Sequence, residues 1–184
     1  MGQNDPDRVT RFEDLYRAHV PDVIAYVARR VRPDGVGDVV ADTFAVAWRR
    51  LESVPVEPLP WLFGVARRVI ANQRRSQRRH LALVLRAAVE PRPLAQAEPE
   101  PEQELPAILA AFRSLPERDR EVLRLTAWDE LSSEQAGRVL GCSATAYRLR
   151  LHRARRKLAA RLDIEADHDQ PELIRPTLRP EELP

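Results

Sequence analysis

The sequence predicts an all-α protein built from two small helical domains joined by a flexible linker. Three observations carry that expectation. Apolar residues recur at helical spacing in two separate stretches, residues 11–80 and 105–162. Between them lies an acidic, proline-rich segment, PRPLAQAEPEPEQE at 91–104, which is poor in the apolar residues a core needs. The second stretch ends in a short helix, a glycine-containing turn and a long basic helix, the pattern of a helix-turn-helix.

Residues 1–10 are polar and are expected to be disordered. From 11 to 31 an amphipathic helix sets Phe12, Leu15, Tyr16, His19 and Val20 on one face, and Val23, Ile24 and Val27 continue it past Pro21. Arg32-Pro33-Asp34-Gly35 marks a turn. A second helix over 36–51 carries Val39, Val40, Phe44, Ala47 and Trp48 on its apolar stripe. Pro55, Pro58 and Pro60 make the next segment a loop, and Pro60 suits the start of a third helix. There Trp61, Leu62, Val65, Ala66, Val69 and Ile70 recur at helical spacing before the helix turns basic. The pattern decays over 81–104, where 81–89 retain enough apolar residues to prolong the helix. Fully extended, that linker of about 24 residues reaches on the order of 80 Å, enough for the domains to sit far apart on one partner.

In the second domain Ile108, Leu109, Phe112 and Leu115 form one stripe, Pro116 opens a further helix, and Val122, Leu123 and Leu125 continue the core. Ser132 with Gln135 has the spacing of a capping box. Gly141-Cys142-Ser143 supplies the turn, and Ser143 caps a helix running to about Leu162. Residues 163–184 read as an acidic, disordered tail.

Charge is strongly segregated. Residues 1–90 carry 15 basic and 11 acidic groups, 91–110 carry 1 and 4, 111–162 carry 12 and 6, and 163–184 carry 2 and 7. Two basic blocks separated by an acidic one point to two sites for a polyanion. The acidic linker suits either a channel built for nucleic acid or a plain tether. Cys142 is the only cysteine, so there is no internal disulfide framework, in keeping with a reducing cytosol. No apolar run is long enough to span a membrane, and the N-terminus lacks the pattern of a signal peptide, so a soluble cytoplasmic protein without membrane contact of its own is expected. The four histidines are scattered, no Cys/His spacing fits a metal, and the six glycines form no phosphate-cradling loop. Neither a cofactor, a metal nor an enzymatic activity is therefore expected.

In the last helix Tyr147, Leu151, Ala154 and Leu158 share the buried face, leaving Arg148, Arg150, His152, Arg153, Arg155 and Arg156 outside. Arginines there can grip phosphates or fork onto a guanine edge; the alternative is a solvated basic helix. Asp38 and Asp42 lie on one face and suit pairing with arginines of a partner, or ordinary helix solubility. Trp48 and Trp61 read as core anchors rather than DNA contacts.

Residues 115–123 (LPERDREVL), 131–132 (LS), 139–141 (VLG) and 151–155 (LHRAR) resemble region 4 of extracytoplasmic-function sigma factors, members of the sigma-70 family of bacterial RNA polymerase. Residues 38–44 (DVVADTF) with Ala47-Trp48, and 61–66 (WLFGVA) leading into a run of arginines, resemble region 2 of the same family. The resemblance implies a region 2 domain at 11–80 and a region 4 helix-turn-helix domain at 105–162. Its implied partners are core RNA polymerase (clamp helices and flap), promoter DNA and an anti-sigma factor. By resemblance, Asp38, Asp42 and Arg49 dock on the polymerase. Arg67, Arg68, Asn72, Arg74, Arg75, Arg78 and Arg79 meet the minus-ten element, and the loop over 51–61 cradles a flipped base. Ser143, Thr145, Arg148, Leu149, His152, Arg153 and Arg156 meet the minus-35 element.

The sequence departs from the family at Ala41, where glutamine is usual, and at Arg68 and Asn72, where asparagine and aspartate are usual. In the recognition helix Ala146, Tyr147 and Leu149 replace threonine, valine and serine. The competing reading is a free-standing helix-turn-helix regulator that binds duplex DNA without polymerase.

Overall fold

The computed structural model of the protein describes residues 6–87 and 107–168, and among these there is no strand. Seven α-helices occur: α1 (Pro6–Ala28), α2 (Val36–Arg49), α3 (Pro58–Ala87), α4 (Ala107–Ser114), α5 (Glu117–Ala127), α6 (Ser133–Leu140) and α7 (Ala144–His168). Of the expected linker 81–104, residues 81–87 continue α3, and residues 1–5, 88–106 and 169–184 lie outside the described part.

Helix α1 begins earlier than the sequence pattern indicates. Residues 6–10, expected to be disordered, are helical because they have something to hold. Arg8 donates to Trp48 O at 2.9 Å with its guanidinium 4.7 Å from the Trp48 ring centroid, and one turn on, Arg11 pairs with Glu52 at 3.0 Å. Residues 163–168, assigned to the tail, likewise continue α7. Pro21 sits inside α1 without ending it.

Helices α1, α2 and α3 pack around Val23, Tyr26, Val27, Val39, Phe44, Ala47, Leu62, Ala66 and Ile70. Tyr16 and Ile24, placed on the same stripe by spacing, remain 41% and 44% exposed. The α1 face is instead centred on Tyr26, whose ring stacks on Phe63 with centroids 4.3 Å apart. Helices α4, α5 and α7 enclose a smaller core of Leu115, Leu123 and Ala154, flanked by Phe112, Leu151 and Leu158. On α4 the buried residue is Ala111; Ile108 and Leu109 are 54% and 36% exposed, so the predicted stripe there is only partly inward.

The two bundles are not independent. Val122, Leu125, Leu131, Ala136, Val139 and Tyr147 of the second belong to the same hydrophobic cluster as the core of the first. Helix α3 is the hinge of this packing. Every residue from Leu62 to Ala66 is buried, which no single helix face can achieve. One side of α3 closes the first bundle. The other lies against α6, where a Cβ built on Gly64 would sit 3.8 Å from Val139 O.

Candidate nucleic-acid interface

The second bundle places a long basic helix behind a tightly specified turn. Ser132 Oγ accepts from Gln135 N, and the Gln135 side chain accepts from Ser132 N at 2.9 Å, completing the capping box. Gly141 closes α6 at φ 67°, a left-handed conformation that glycine adopts without steric cost. Ser143 Oγ then accepts from Ala146 N at 3.2 Å and starts α7. Ser143, expected at the DNA, is therefore first of all a cap.

Tyr147 fixes how α7 sits. Its hydroxyl, fully buried, donates to Val122 O at 2.8 Å and so receives the Thr126 hydroxyl at 2.6 Å. Burial raises its pKa above the ordinary phenol value, so it remains a donor. With that face anchored, Thr145, Leu149, His152 and Arg156, at helical spacing, are exposed on another. Leu149 is 50% exposed. Arg148 lies beside them, bonded to Thr145 Oγ1 at 3.2 Å and 3.7 Å from Glu134. Arg153, one turn on from Leu149, also borders the cleft toward α3 and α5 together with Arg150.

Helix α3 has two basic sides. By spacing, Arg68, Asn72, Arg75 and Arg79 share one, and Arg68, with its Nε donating to Gly64 O at 3.0 Å, and Asn72 line a cleft of about 180 Å3 with Val46, Arg50 and Trp61. Arg67, Arg74 and Arg78 share the other by the same spacing, and Arg67 and Arg74 border α5. Arg74 is not free: it donates to Arg30 O at 2.6 Å and lies 3.7 Å from Glu117. On α2, Asp38, Asp42 and Arg49 are exposed along one face, and none of them makes a hydrogen bond or ion pair with a described residue. Trp61 is half-buried against the core, and Trp48 is half-buried against Phe12, with ring centroids 5.2 Å apart.

What holds the bundles together escapes a reading of the sequence. Arg30, in the turn just after α1, donates through Nε to Glu121 Oε2 at 2.9 Å and through Nη2 to Asp129 Oδ2 at 2.6 Å. Its Nη1 bonds Tyr26 O at 2.8 Å, the Tyr26 hydroxyl bonds Glu121 at 3.0 Å, and Arg29 pairs with the second oxygen of Asp129. The Arg30 and Asp129 side chains are 3% and 0% exposed. Burial, then the Glu121 charge, pushes the Tyr26 phenol far above its ordinary range and keeps it a donor. Burial disfavours the Arg30 charge, but Tyr26, Glu121 and Asp129 more than offset it and raise its pKa. The result is a charge-balanced polar knot between α1, α5 and the loop after α5. Periodicity carries no signal for it, because its partners lie about a hundred residues apart.

Among the described residues no group of three or more His, Cys, Asp or Glu is arranged to hold a metal ion, and no helix is long and apolar enough to cross a membrane.

Comparison with known proteins matches these two bundles separately. Residues 15–80 match the family described as Sigma-70 region 2, and residues 105–158 match Sigma-70, region 4. The chain is 33% identical over 135 residues to the RNA polymerase sigma factor NccH of Alcaligenes xylosoxydans xylosoxydans, covering 69% of this chain and 73% of that protein. It is 35% identical over 144 residues to the RNA polymerase sigma factor CnrH of Cupriavidus metallidurans, covering 72% and 75%. Its fold resembles that of CnrH in complex with the cytosolic domain of CnrY, with TM-score 0.56 and 27% identity over 88% of this chain and 99% of that one. It also resembles the fold of the sigma factor RpoE in complex with the anti-sigma factor NepR from Bartonella quintana, with TM-score 0.62 and 24% identity over 84% and 98%.

Proposed function

The chain belongs to the extracytoplasmic-function group of sigma-70 RNA polymerase sigma factors, and from that premise we propose how its surfaces divide the work of directing core polymerase to promoters. Residues 11–80 act as region 2 and residues 105–162 as region 4. The α2 face of Asp38, Asp42 and Arg49 docks on the polymerase clamp helices. Its three charged side chains are exposed and uncommitted, as a docking surface requires. The α3 side of Arg68, Asn72, Arg75 and Arg79 tracks the minus-ten strand, with the Arg50–Trp61–Arg68 cleft beside it to receive an unstacked base. Arg67, Arg74 and Arg78 join that contact only once α3 is free of the second bundle, since Arg74 pairs with Glu117 across it.

The single observation that carries the reading is the recognition helix. Thr145, Leu149, His152 and Arg156 stand on an exposed face of α7 behind a capped turn, with Arg148 alongside. That face enters the major groove of the minus-35 element. Ser143 contributes by fixing the helix start, and Arg153 at its margin reaches phosphate. Region 4 also meets the polymerase flap. An anti-sigma factor is a further expected partner, since a solved structure of this fold is seen with such a protein. The chain works in the cytoplasm beside polymerase and is itself a binding subunit; the chemistry of RNA synthesis stays with the core.

The test is assembly. Mixed with purified core polymerase, the chain elutes with it on gel filtration, and Asp38→Arg with Asp42→Arg abolishes co-elution while leaving helical content unchanged. Specific footprints by the chain alone, with no core binding, would instead mark a free-standing regulator.

A further inference from the structure

Between the two bundles lies an open cleft of about 410 Å3, within the size range of small-molecule sites. Five cationic side chains face it: Arg67 from α3, Arg118 from α5, and Arg150, Arg153 and Lys157 from α7. Two carboxylates share the cleft and both are already engaged. Asp119 accepts from Lys157 at 2.6 Å, and Glu121 is held by Arg30 and Tyr26. The four arginines make no hydrogen bond or ion pair with any described residue. Four uncompensated guanidinium groups, drawn from three helices, thus surround one small volume. Val122 and Leu140 supply an apolar wall beside them.

Guanidinium forks match phosphate oxygens in planar, bidentate geometry, and several phosphates are needed to satisfy four of them. The apolar wall asks for a flat, uncharged part on the same ligand. We propose that this interdomain cleft is a binding site for a polyphosphorylated nucleotide, its phosphates among Arg67, Arg118, Arg150 and Arg153 and its base against Val122 and Leu140. Closure of the bundles completes the site, because Arg67 is brought to it from the first bundle while the rest of the lining belongs to the second. Resting on the assignment of Arg67 and Arg153 to promoter contact, a bound nucleotide excludes DNA and holds the closed arrangement.

Isothermal titration calorimetry on the full chain tests the site with neither polymerase nor DNA, so its outcome is independent of the promoter reading. The probes are ATP, GTP and inorganic tripolyphosphate. The expected result is one nucleotide per chain, bound more tightly than tripolyphosphate. Arg118→Ala, an exposed change outside the proposed promoter contacts, weakens that binding by about tenfold, the usual scale of a hydrogen bond to a charged group. Arg155→Ala, on the same basic helix but off the cleft, leaves it unchanged. No saturable heat with either nucleotide, tripolyphosphate binding as tightly as the nucleotides, or equal losses in Arg118→Ala and Arg155→Ala would each overturn the assignment.

Discussion

Gly137 has no room for a side chain: a Cβ there would lie 2.7 Å from Cys142 O, a backbone atom that cannot step aside. Four residues on, Gly141 has open space around it but sits at φ 67°. The same turn thus requires glycine twice for different reasons, contact in one case and conformation in the other. Gly137→Ala is expected to cost about 1–3 kcal/mol by forced repacking, and Gly141→Ala about 1–2 kcal/mol by left-handed strain. Chemical denaturation read at the helix signal checks both. Tyr147→Phe removes the bond to Val122 O and strands the Thr126 hydroxyl, lowering stability by about 1–2 kcal/mol. Leu149 faces solvent and not the core, so Leu149→Ala leaves the melting temperature unchanged. It alters the preferred minus-35 sequence, read by selection from a promoter library, if its methyl groups meet a thymine.

At the scale of elements, what was legible in the sequence is what is local. The capping box of Ser132 and Gln135, the glycine turn, the cap at Ser143 and the buried face of α7 all depend on residues within a few positions of one another. The Arg30 knot is not local: Tyr26 and Glu121 are 95 positions apart, and Arg29 and Asp129 are 100 apart. Spacing also misassigned part of α1 and α4, since Tyr26 and Ala111 are buried while Ile24 and Ile108 are not. An apolar stripe says which side of a helix avoids water, but the neighbour decides which of its edges is covered. The sandwiching of α3 between two bundles was hidden for the same reason. Removing one partner of a buried ion pair costs about 3–5 kcal/mol if the surroundings stay closed. Arg30→Ala therefore parts the bundles so that water reaches Glu121 and Asp129. Small-angle scattering should show a larger radius of gyration than the parent chain, with helical content kept. An unchanged radius would mean that the apolar contact of α3 with α6 closes the molecule without the knot.

For the molecule as a whole, closure and the proposed promoter contact compete for the same helix, α3. Arg74 of α3 is bonded to Arg30 O just after α1 and paired with Glu117 of α5, so extending the two regions along a promoter, as proposed, requires the pair with Glu117 to break. Glu117 gives stability a pH dependence, mostly through its partners on α5. Burial opposes its charge, but Arg124, Arg120 and Arg74 outweigh that and hold its pKa below the ordinary 4.5. A depressed carboxylate contributes stability that is fully present above 4.5 and is lost as pH falls through the folded value. Denaturation midpoints of the parent chain should fall below about pH 4.5 more steeply than those of Glu117→Gln. Identical slopes would remove Glu117 from the balance.

The central claim is that the chain directs polymerase to promoters through its two helical bundles. In vitro transcription with purified core polymerase on genomic DNA of the source tests it most directly. The account predicts discrete start sites that require the protein and vanish when Asp38→Arg and Asp42→Arg are combined. Core polymerase that starts at the same positions with and without the protein would contradict it.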